Sequence, residues 1–369
     1  MRKVGIVSSG LTKFTKDEAE IESLMLSSIR PIFEGTKNLE QNDIDVVITS
    51  TNANEKYLAN IVSEMAGIAP KTSHSVESLC NSGTNSIVSA FSYISSGLAD
   101  VALVVGAEKT DSPGLVLDWD KSRGQYKHPI YWSSIFTSAH MRKYGTTLEQ
   151  LAYVSAKNHR NGRENPFSFF DKSFSFEEVM SSKSLTDNVR LLDCSMPCNG
   201  AASVLLASED VAKRFTEEPV WISGIGQKSI SAGFAKNSDL SSLHSTSVAA
   251  KDAYLMARCT PADIDVAELH DAFSICEIMA LEDLGLAERG GGGTLVGDLY
   301  NTGSRKVNPR GGLIGTGHPL GATGIAQTIE AYQQLSRNAG RRQVDKARRA
   351  LVHNMSAAAT SSTVLVLQA

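Results

Sequence analysis

One arrangement of residues occurs twice in this chain, and no other feature limits its fold so strongly. Asp43-Ile44-Asp45-Val46-Val47 close a helical pattern and open a strand, and Asp263-Ile264-Asp265-Val266-Ala267 do the same much later. A helix leads into each, from about Leu24 in one copy and about Val248 in the other. Earlier still lies a short strand, Val4-Gly5-Ile6 in one and Val220-Trp221-Ile222 in the other. The ends correspond too. Asp193 to Ala202 and His353 to Ala359 are small-residue turns that feed the apolar strands Ser203–Leu206 and Thr363–Leu367. Strands alternating with helices predict α/β layers. The first copy takes residues 1–110 and 190–215, and the second takes 216–369. Residues 111–189 are an insertion, too long to be empty loop. It is rich in aromatics: Trp119, Tyr126, Tyr131, Trp132, Phe136, Tyr144, Phe167, Phe169 and Phe170. Such a segment covers a pocket, builds a subunit contact, or is a plain structural excursion.

Composition removes several function classes. At 369 residues one large or two medium domains are expected. A net charge of −4 leaves no electrostatic footprint for nucleic acid. The basic residues between Arg337 and Arg349 read as the solvated end of a helix and its loop. Five cysteines, an odd number in a chain this long, do not make a disulfide framework. Cys194-x-x-x-Cys198 has no second ligand pair nearby, so no zinc site is expected. The first residues read as a strand and no apolar run reaches membrane-spanning length. The expected compartment is the reducing cytoplasm, without nucleic-acid or membrane partners.

Cys80 stands in Ser78-Leu79-Cys80-Asn81-Ser82-Gly83-Thr84-Asn85, directly before a helical stripe of Ile87, Phe91, Ile94 and Leu98. The run Val101–Gly106 after it reads as a buried strand. Unpaired N–H groups and the dipole of a helix N-terminus favour a thiolate, and a thiolate is a nucleophile. Alone, such a cysteine is more often a small buried hydrophobe. Two histidine motifs alter that balance. His270-Asp271-Ala272-Phe273 lies where a strand gives way to the helical pattern of Ile275, Met279 and Leu284. His318 sits in Gly311-Gly312-Leu313-Ile314-Gly315-Thr316-Gly317-His318-Pro319-Leu320-Gly321-Ala322-Thr323-Gly324, where six glycines let backbone pack closely around a ligand or hold one imidazole in a fixed place. The glycine spacing matches neither common phosphate-binding fingerprint. A lone histidine would be a satisfied core residue; two histidines and a cysteine, each at a small-residue turn before a helix, point to a site.

These motifs, with the Asp193-to-Ala202 turn, resemble the thiolase superfamily along nearly the whole chain. They are most similar to the sterol-carrier-protein-2-type and archaeal acetoacetyl-CoA thiolases. Gly317-His318-Pro319 is the most specific element. The resemblance implies duplicated βαβαβαββ halves in a five-layer αβαβα sandwich, assembled as a homodimer or homotetramer. It also implies roles. Cys80 attacks an acyl-CoA, His318 takes the thiol proton, and His270 with His318 lines the oxyanion hole for the enolate. The N–H of Cys80, with Ser356 as the second donor, polarises the acyl carbonyl. Gly317, Pro319 and Gly321 shape the substrate loop.

One departure from the family matters. Many thiolases carry a second reactive cysteine in a C-terminal Cys-x-Gly turn, or in a His-Asp-Cys-Phe motif. This chain has His353-Asn354-Met355-Ser356 at the first place and Ala272 at the second. The base for the α-proton is therefore open among His318, His270 and Cys276, of which a helical cysteine such as Cys276 is more often core packing. That gap admits a decarboxylating β-ketoacyl synthase, which needs no such base, or an inactive thiolase-like scaffold. The resemblance favours an acetyl-CoA C-acetyltransferase with coenzyme A thioesters as substrates and with neither cofactor nor metal. Among archaeal relatives it implies partnership with a hydroxymethylglutaryl-CoA synthase and a small zinc-ribbon/OB-fold protein. Lys121, Arg123, Lys127, Arg142, Lys143 and Lys228 are candidates for the coenzyme A phosphates.

Overall fold

The structure, a computed structural model, describes residues 2–110, 116, 120–233 and 237–369. Trp119 of the insertion lies outside them. The first copy runs β1 (Val4–Leu11), α1 (Ile21–Gly35), β2 (Val46–Ser50), α2 (Leu58–Met65), β3 (Thr72–Val76), α3 (Ser82–Ser95) and β4 (Val101–Glu108). Then come α4 (Pro129–Tyr144), α5 (Leu148–Gly162), α6 (Phe176–Ser181) and the small hairpin of β5 (Ser184–Thr186) and β6 (Val189–Arg190), after which β7 (Gly200–Ser208) returns to the sheet. The second copy is β8 (Val220–Ser229), α7 (His244–Ala257), β9 (Val266–Glu268), α8 (Ser274–Asp283), α9 (Gly292–Thr302), α10 (Gly312–Thr316), α11 (Leu320–Leu335), β10 (Arg349–Met355) and β11 (Ser361–Gln368).

The strand order, β3-β2-β4-β7-β1-β8-β11-β10-β9, reads outward from its middle as the same sequence twice. β2 is parallel to β3 and β4, and β7 returns antiparallel; likewise β9 is parallel to β10, and β11 returns antiparallel. The halves join at β1 and β8 through two registered pairs, Gly5 with Trp221 and Ile6 with Val220. The position matching β3 is reduced in the second half to a single bridge between Ala267 and Val307. The repeated aspartates explain themselves. Asp45 Oδ2 accepts from the N–H groups of Asp100 (2.7 Å) and Val101 (3.2 Å), and Asp265 Oδ2 from those of Arg348 (2.8 Å) and Arg349 (3.0 Å). Each fastens the start of one parallel strand to the start of the next.

Alternation along the strands sets the layers, because side chains point alternately to the two faces. Ala102 and Val104 of β4, Val204 and Leu206 of β7, Val352 of β10 and Leu365 of β11 face one shared core with Ile87, Phe91 and Ile94 of α3 and Ile325 and Ile329 of α11. Leu103, Val105 and Leu205 face outward onto α1 and α2. Leu351 and Val366 face α7 and α8. The order is helix, sheet, helix, sheet, helix, the expected five layers. Leu98 leaves its predicted stripe: α3 ends at Ser95, Gly97 turns the chain at φ +82°, and Leu98 is 68% exposed.

α3 and α11 meet in the middle layer with their backbones nearly touching. A Cβ on Gly83 would lie 3.0 Å from the Ile325 nitrogen, and one on Gly324 would lie 2.7 Å from the Thr84 nitrogen. The residues before these two helices, one from each half, are therefore brought side by side.

Candidate active site

Cys80 lies in a single 3-10 turn, Leu79–Asn81, between the end of β3 and the start of α3. The turn is strained: Leu79 has φ +49°, a left-handed conformation rare for a residue with a side chain. Local bonds hold it. Glu77 Oε1 accepts from Leu79 N–H at 2.7 Å, Ser82 Oγ accepts from Ser78 N–H at 2.7 Å, and the Ser82 hydroxyl donates to the Leu79 carbonyl at 2.6 Å. The sulfur is thus presented at the head of α3.

The three sequence-predicted catalytic side chains converge. Cys80 Sγ and one ring nitrogen each of His270 and His318 lie within 4.8 Å of one another, and the two rings meet edge to face at 5.3 Å between centroids. They stand in a cavity of about 270 Å³. Its remaining walls come from the head of α4 (His128 to Trp132), the segment Cys194–Pro197, Phe273, Leu320 and the turn Met355–Ala357. The insertion is therefore a pocket wall, with Trp132 set edge-on against Phe273 at 5.0 Å. The segment after Asp193, which the sequence marks only as a turn, ties both histidine motifs together. Ser195 N–H donates to the Ala272 carbonyl (2.9 Å), and His318 N–H donates to the Met196 carbonyl (2.8 Å).

Of the two jobs expected of the glycines, the packing supports the holding of the imidazole. Among the residues of the substrate loop, His318 and Leu320 reach the cavity wall, but Gly317, Pro319 and Gly321 do not. A Cβ on Gly321 would lie 2.7 Å from the carbonyl oxygens of Ser50 and Ala107, and one on Gly315 would lie 2.2 Å from the Asn158 carbonyl. Gly317, at φ +93°, has no room for a Cβ beside Cys198. The loop packs against the protein's own backbone, and so fixes His318. Buried Glu108 completes the clamp, accepting from Gly321 N–H (2.9 Å) and from the Asn52 amide (2.7 Å).

The environment is largely apolar. Desolvation first, and the nearby Glu108 charge second, push the Cys80 thiol up to about 12. Burial thus works against the expected helix-stabilised thiolate and favours the neutral thiol. Burial, and then the Arg310 charge, hold His318 down at about 3. His270 is likewise lowered, by burial and then by His318. His318 Nδ1 lies 2.7 Å from Thr323 Oγ1, whose proton goes to the Pro319 carbonyl at 2.9 Å. The threonine oxygen therefore accepts, the ring proton sits on Nδ1, and Nε2 keeps a free lone pair. Buried Nε2 has no hydrogen-bond partner among the described residues.

One further expectation is revised, and two candidates are placed. Ser356 lines the cavity, but its N–H already donates to the Ser361 carbonyl at 2.9 Å and its hydroxyl pairs with Ser361 Oγ at 2.7 Å. The next two residues, Ala357 and Ala358, open a 3-10 turn whose first N–H groups have no acceptor within it. Ala358 and Ala359 are left-handed at φ +54° and +53°, a strained turn beside the cavity. Cys276 is fully buried on α8 and does not line the cavity, so it is core. Lys143 is committed to Asp239 at 3.0 Å.

Sequence reasoning passed over the groups beneath the histidines. Asp271 accepts from Leu313 N–H (2.6 Å) and from the Asn158 amide (2.6 Å), joining the His270 turn to α10 and to α5. Asn354, Gln327 and Thr323 stand under the imidazoles. Their polarity in otherwise apolar stretches was the available signal.

The comparisons agree with this geometry. Residues 4–210 match the thiolase N-terminal domain and residues 226–369 the thiolase C-terminal domain-like family. The chain is 35% identical to an acetyl-CoA acetyltransferase of Methanothermobacter thermautotrophicus, over 96% of both proteins. It is 33% identical to sterol carrier protein 2 of Bos taurus, over 96% of this chain and 70% of that protein. Among solved structures, an "Ltp2-ChsH2(DUF35) aldolase" superposes with a TM-score of 0.86 at 21% identity, covering 100% of this chain and 98% of that one. An acetyl-CoA acetyltransferase from Syntrophomonas wolfei superposes with a TM-score of 0.75 at 17% identity, covering 100% and 99%. These two likenesses speak for the fold. Two matching domain models in order, and a relative 35% identical over nearly its whole length, make this chain a member of the thiolase family of acyltransferases.

Proposed function

We propose that the protein is an acetyl-CoA C-acetyltransferase that joins two acetyl-CoA into acetoacetyl-CoA and coenzyme A, or runs the reverse thiolysis, through an acyl group on Cys80. The observation that carries this reading is the convergence of a sulfur and two imidazoles in one largely apolar cavity. His318 Nε2 takes the Cys80 proton as the sulfur bonds to the acyl carbon, then gives it to the departing coenzyme A sulfur. The N–H of Cys80, with one from the Ala357–Ala358 turn in place of the Ser356 group, holds the acyl oxygen. The second acetyl-CoA loses an α-proton, its enolate oxygen rests on His270, and carbon attack on the acyl group frees Cys80. Acetyl-CoA is named as substrate on the strength of 35% identity over 96% of one relative.

The reading includes no bound cofactor or metal. It extends to a homo-oligomer and to partner proteins such as a hydroxymethylglutaryl-CoA synthase and a zinc-ribbon/OB-fold protein. One structural neighbour carries a two-part name, Ltp2-ChsH2(DUF35). Co-elution from the native source tests the partners, and sedimentation tests the oligomer. Among the described residues no helix is long and apolar enough to cross a membrane.

The decisive assay offers purified protein acetyl-CoA, malonyl-CoA, and acetoacetyl-CoA with coenzyme A. Thiolysis of acetoacetyl-CoA supports the reading. Condensation only with malonyl-CoA, releasing CO₂, would overturn it in favour of a synthase. A Cys80 that acetyl-CoA neither acylates nor protects from alkylation would favour a scaffold.

A further inference from the structure

The acyl-cysteine reading leaves the destination of the α-proton open, and hydrogen bonds below the cavity decide it. His270 Nδ1 lies 3.1 Å from Asn354 Nδ2. An amide NH₂ donates only, so the outcome depends on which way Asn354 faces. Gln327 determines that. Its Nε2 donates to the His353 carbonyl at 3.2 Å, so its Oε1 faces Asn354 and accepts from Asn354 Nδ2 at 2.7 Å. The other proton of the same NH₂ then points at His270 Nδ1. A neutral imidazole that accepts at Nδ1 carries its proton on Nε2. Gln327 and Asn354 are both fully buried, and neither reaches the cavity.

The two site histidines are thus opposite tautomers. His318 offers a lone pair at Nε2 because Thr323 accepts at Nδ1; His270 offers a proton at Nε2 because Asn354 donates at Nδ1. The same assignment leaves His270 no Nε2 lone pair for a metal.

We infer that Gln327 and Asn354 are positioning residues that hold His270 as a hydrogen-bond donor and deny it the role of base, so that His318 moves the α-proton as well as the thiol proton. The step balances. The α C–H bond breaks, its electron pair enters the enolate held by His270, and its proton goes to His318 Nε2. As the new C–C bond forms, the C–S bond to Cys80 breaks, and the leaving thiolate takes that proton back. No second cysteine is needed.

The test uses the full-length protein, with the variants Gln327→Leu and Gln327→Glu. Histidine labelled with ¹⁵N shows directly which ring nitrogen is protonated. Deuterium uptake at the α-carbon of acetyl-CoA in heavy water reads enolate formation, and acetylation of Cys80 reads the first half-reaction. The inference expects His270 protonated at Nε2 and His318 at Nδ1 in the parent protein. It expects Gln327→Leu to slow deuterium uptake by about 10²-fold, the usual cost of one oxyanion donor, with Cys80 acetylation unchanged. Gln327→Glu, which keeps an acceptor for Asn354, should retain most of the uptake. His270 protonated at Nδ1 in the parent protein would overturn the inference, as would Gln327→Leu slowing both half-reactions alike or neither. The ring-nitrogen measurement needs no turnover, so it judges this relay even if Cys80 acetylation, and with it the functional reading, fails.

Discussion

His318 and Thr323 share a hydrogen bond of 2.7 Å across a single turn of chain, and its direction is set because the threonine proton is already given to the Pro319 carbonyl. Position five residues after the histidine thus decides which ring nitrogen can act as a base. Thr323→Val removes the acceptor, lets the ring change tautomer, and should lower kcat by about 10²-fold, the low end of what general base catalysis contributes. Thr323→Ser should keep most activity. Steady-state thiolysis measures both, and a Thr323→Val enzyme with the parent kcat would contradict the assignment.

A buried neutral thiol has a particular pH signature. With Cys80 pushed up to about 12 and His318 held at about 3, the resting pair is uncharged, not an ion pair. The rate of iodoacetamide modification, followed on the peptide that carries Cys80, should therefore climb through pH 9 without levelling. A plateau already reached below pH 7 would mean a preformed thiolate–imidazolium pair.

Acid should weaken the fold. His318 and His353 are held neutral down to about 3 and His159 to about 4, and His270 is lowered as well, each by burial. Their unfolded counterparts bind protons near the ordinary 6.5. Below that value the unfolded chain takes up more protons, so these groups make stability fall as pH falls. Asp271 and Glu268, raised to about 7 and about 8 by burial, act in the opposite sense over the same window. Asp193 is raised by burial as well, and His74 and His128 are lowered by it; six histidines outnumber three carboxyls, so the urea midpoint should drop between pH 7 and pH 5, and a midpoint that rises would contradict the burial picture.

The motif glycines should prove structural. Gly321→Ala forces a Cβ to within 2.7 Å of the Ser50 and Ala107 carbonyl oxygens. It should destabilise the protein by about 1–3 kcal/mol, as overpacking does, and lower kcat by shifting the head of α11. Gly35→Ala, where a Cβ meets nothing within 4 Å, should change stability by less than about 0.5 kcal/mol. Chemical denaturation compares the two, and equal effects would count against a packing role.

Much of this was written in the chain order. The paired Asp45 and Asp265 are legible because each stands in the same short motif ahead of its strand, although the N–H groups they accept from lie 55 and 83 positions away. Cys80, His270 and His318 stood out because small residues and turns flank them. What did not show was anything settled by contact at long range. Asn354 meets His270 across 84 positions and Gln327 across 27, and no periodicity marks such a meeting. The acidity of Cys80 was misjudged for the same reason: the helix terminus is visible in sequence, but the apolar wall around the sulfur is assembled from α4, the Cys194–Pro197 segment and the last turn. The six glycines read equally as room for a ligand or as a clamp on one imidazole, and only their distant neighbours, such as the Ser50, Ala107 and Asn158 carbonyls, the Asp271 carboxylate and the Cys198 sulfur, distinguish the two.

The central claim is a thioester on one sulfur. Purified protein mixed with acetyl-CoA, quenched in acid and digested, should yield the Cys80 peptide heavier by one acetyl group, a species that disappears on adding coenzyme A and never forms in Cys80→Ala. An unmodified Cys80 peptide, or an acetyl group carried equally by the Cys80→Ala protein, would contradict it.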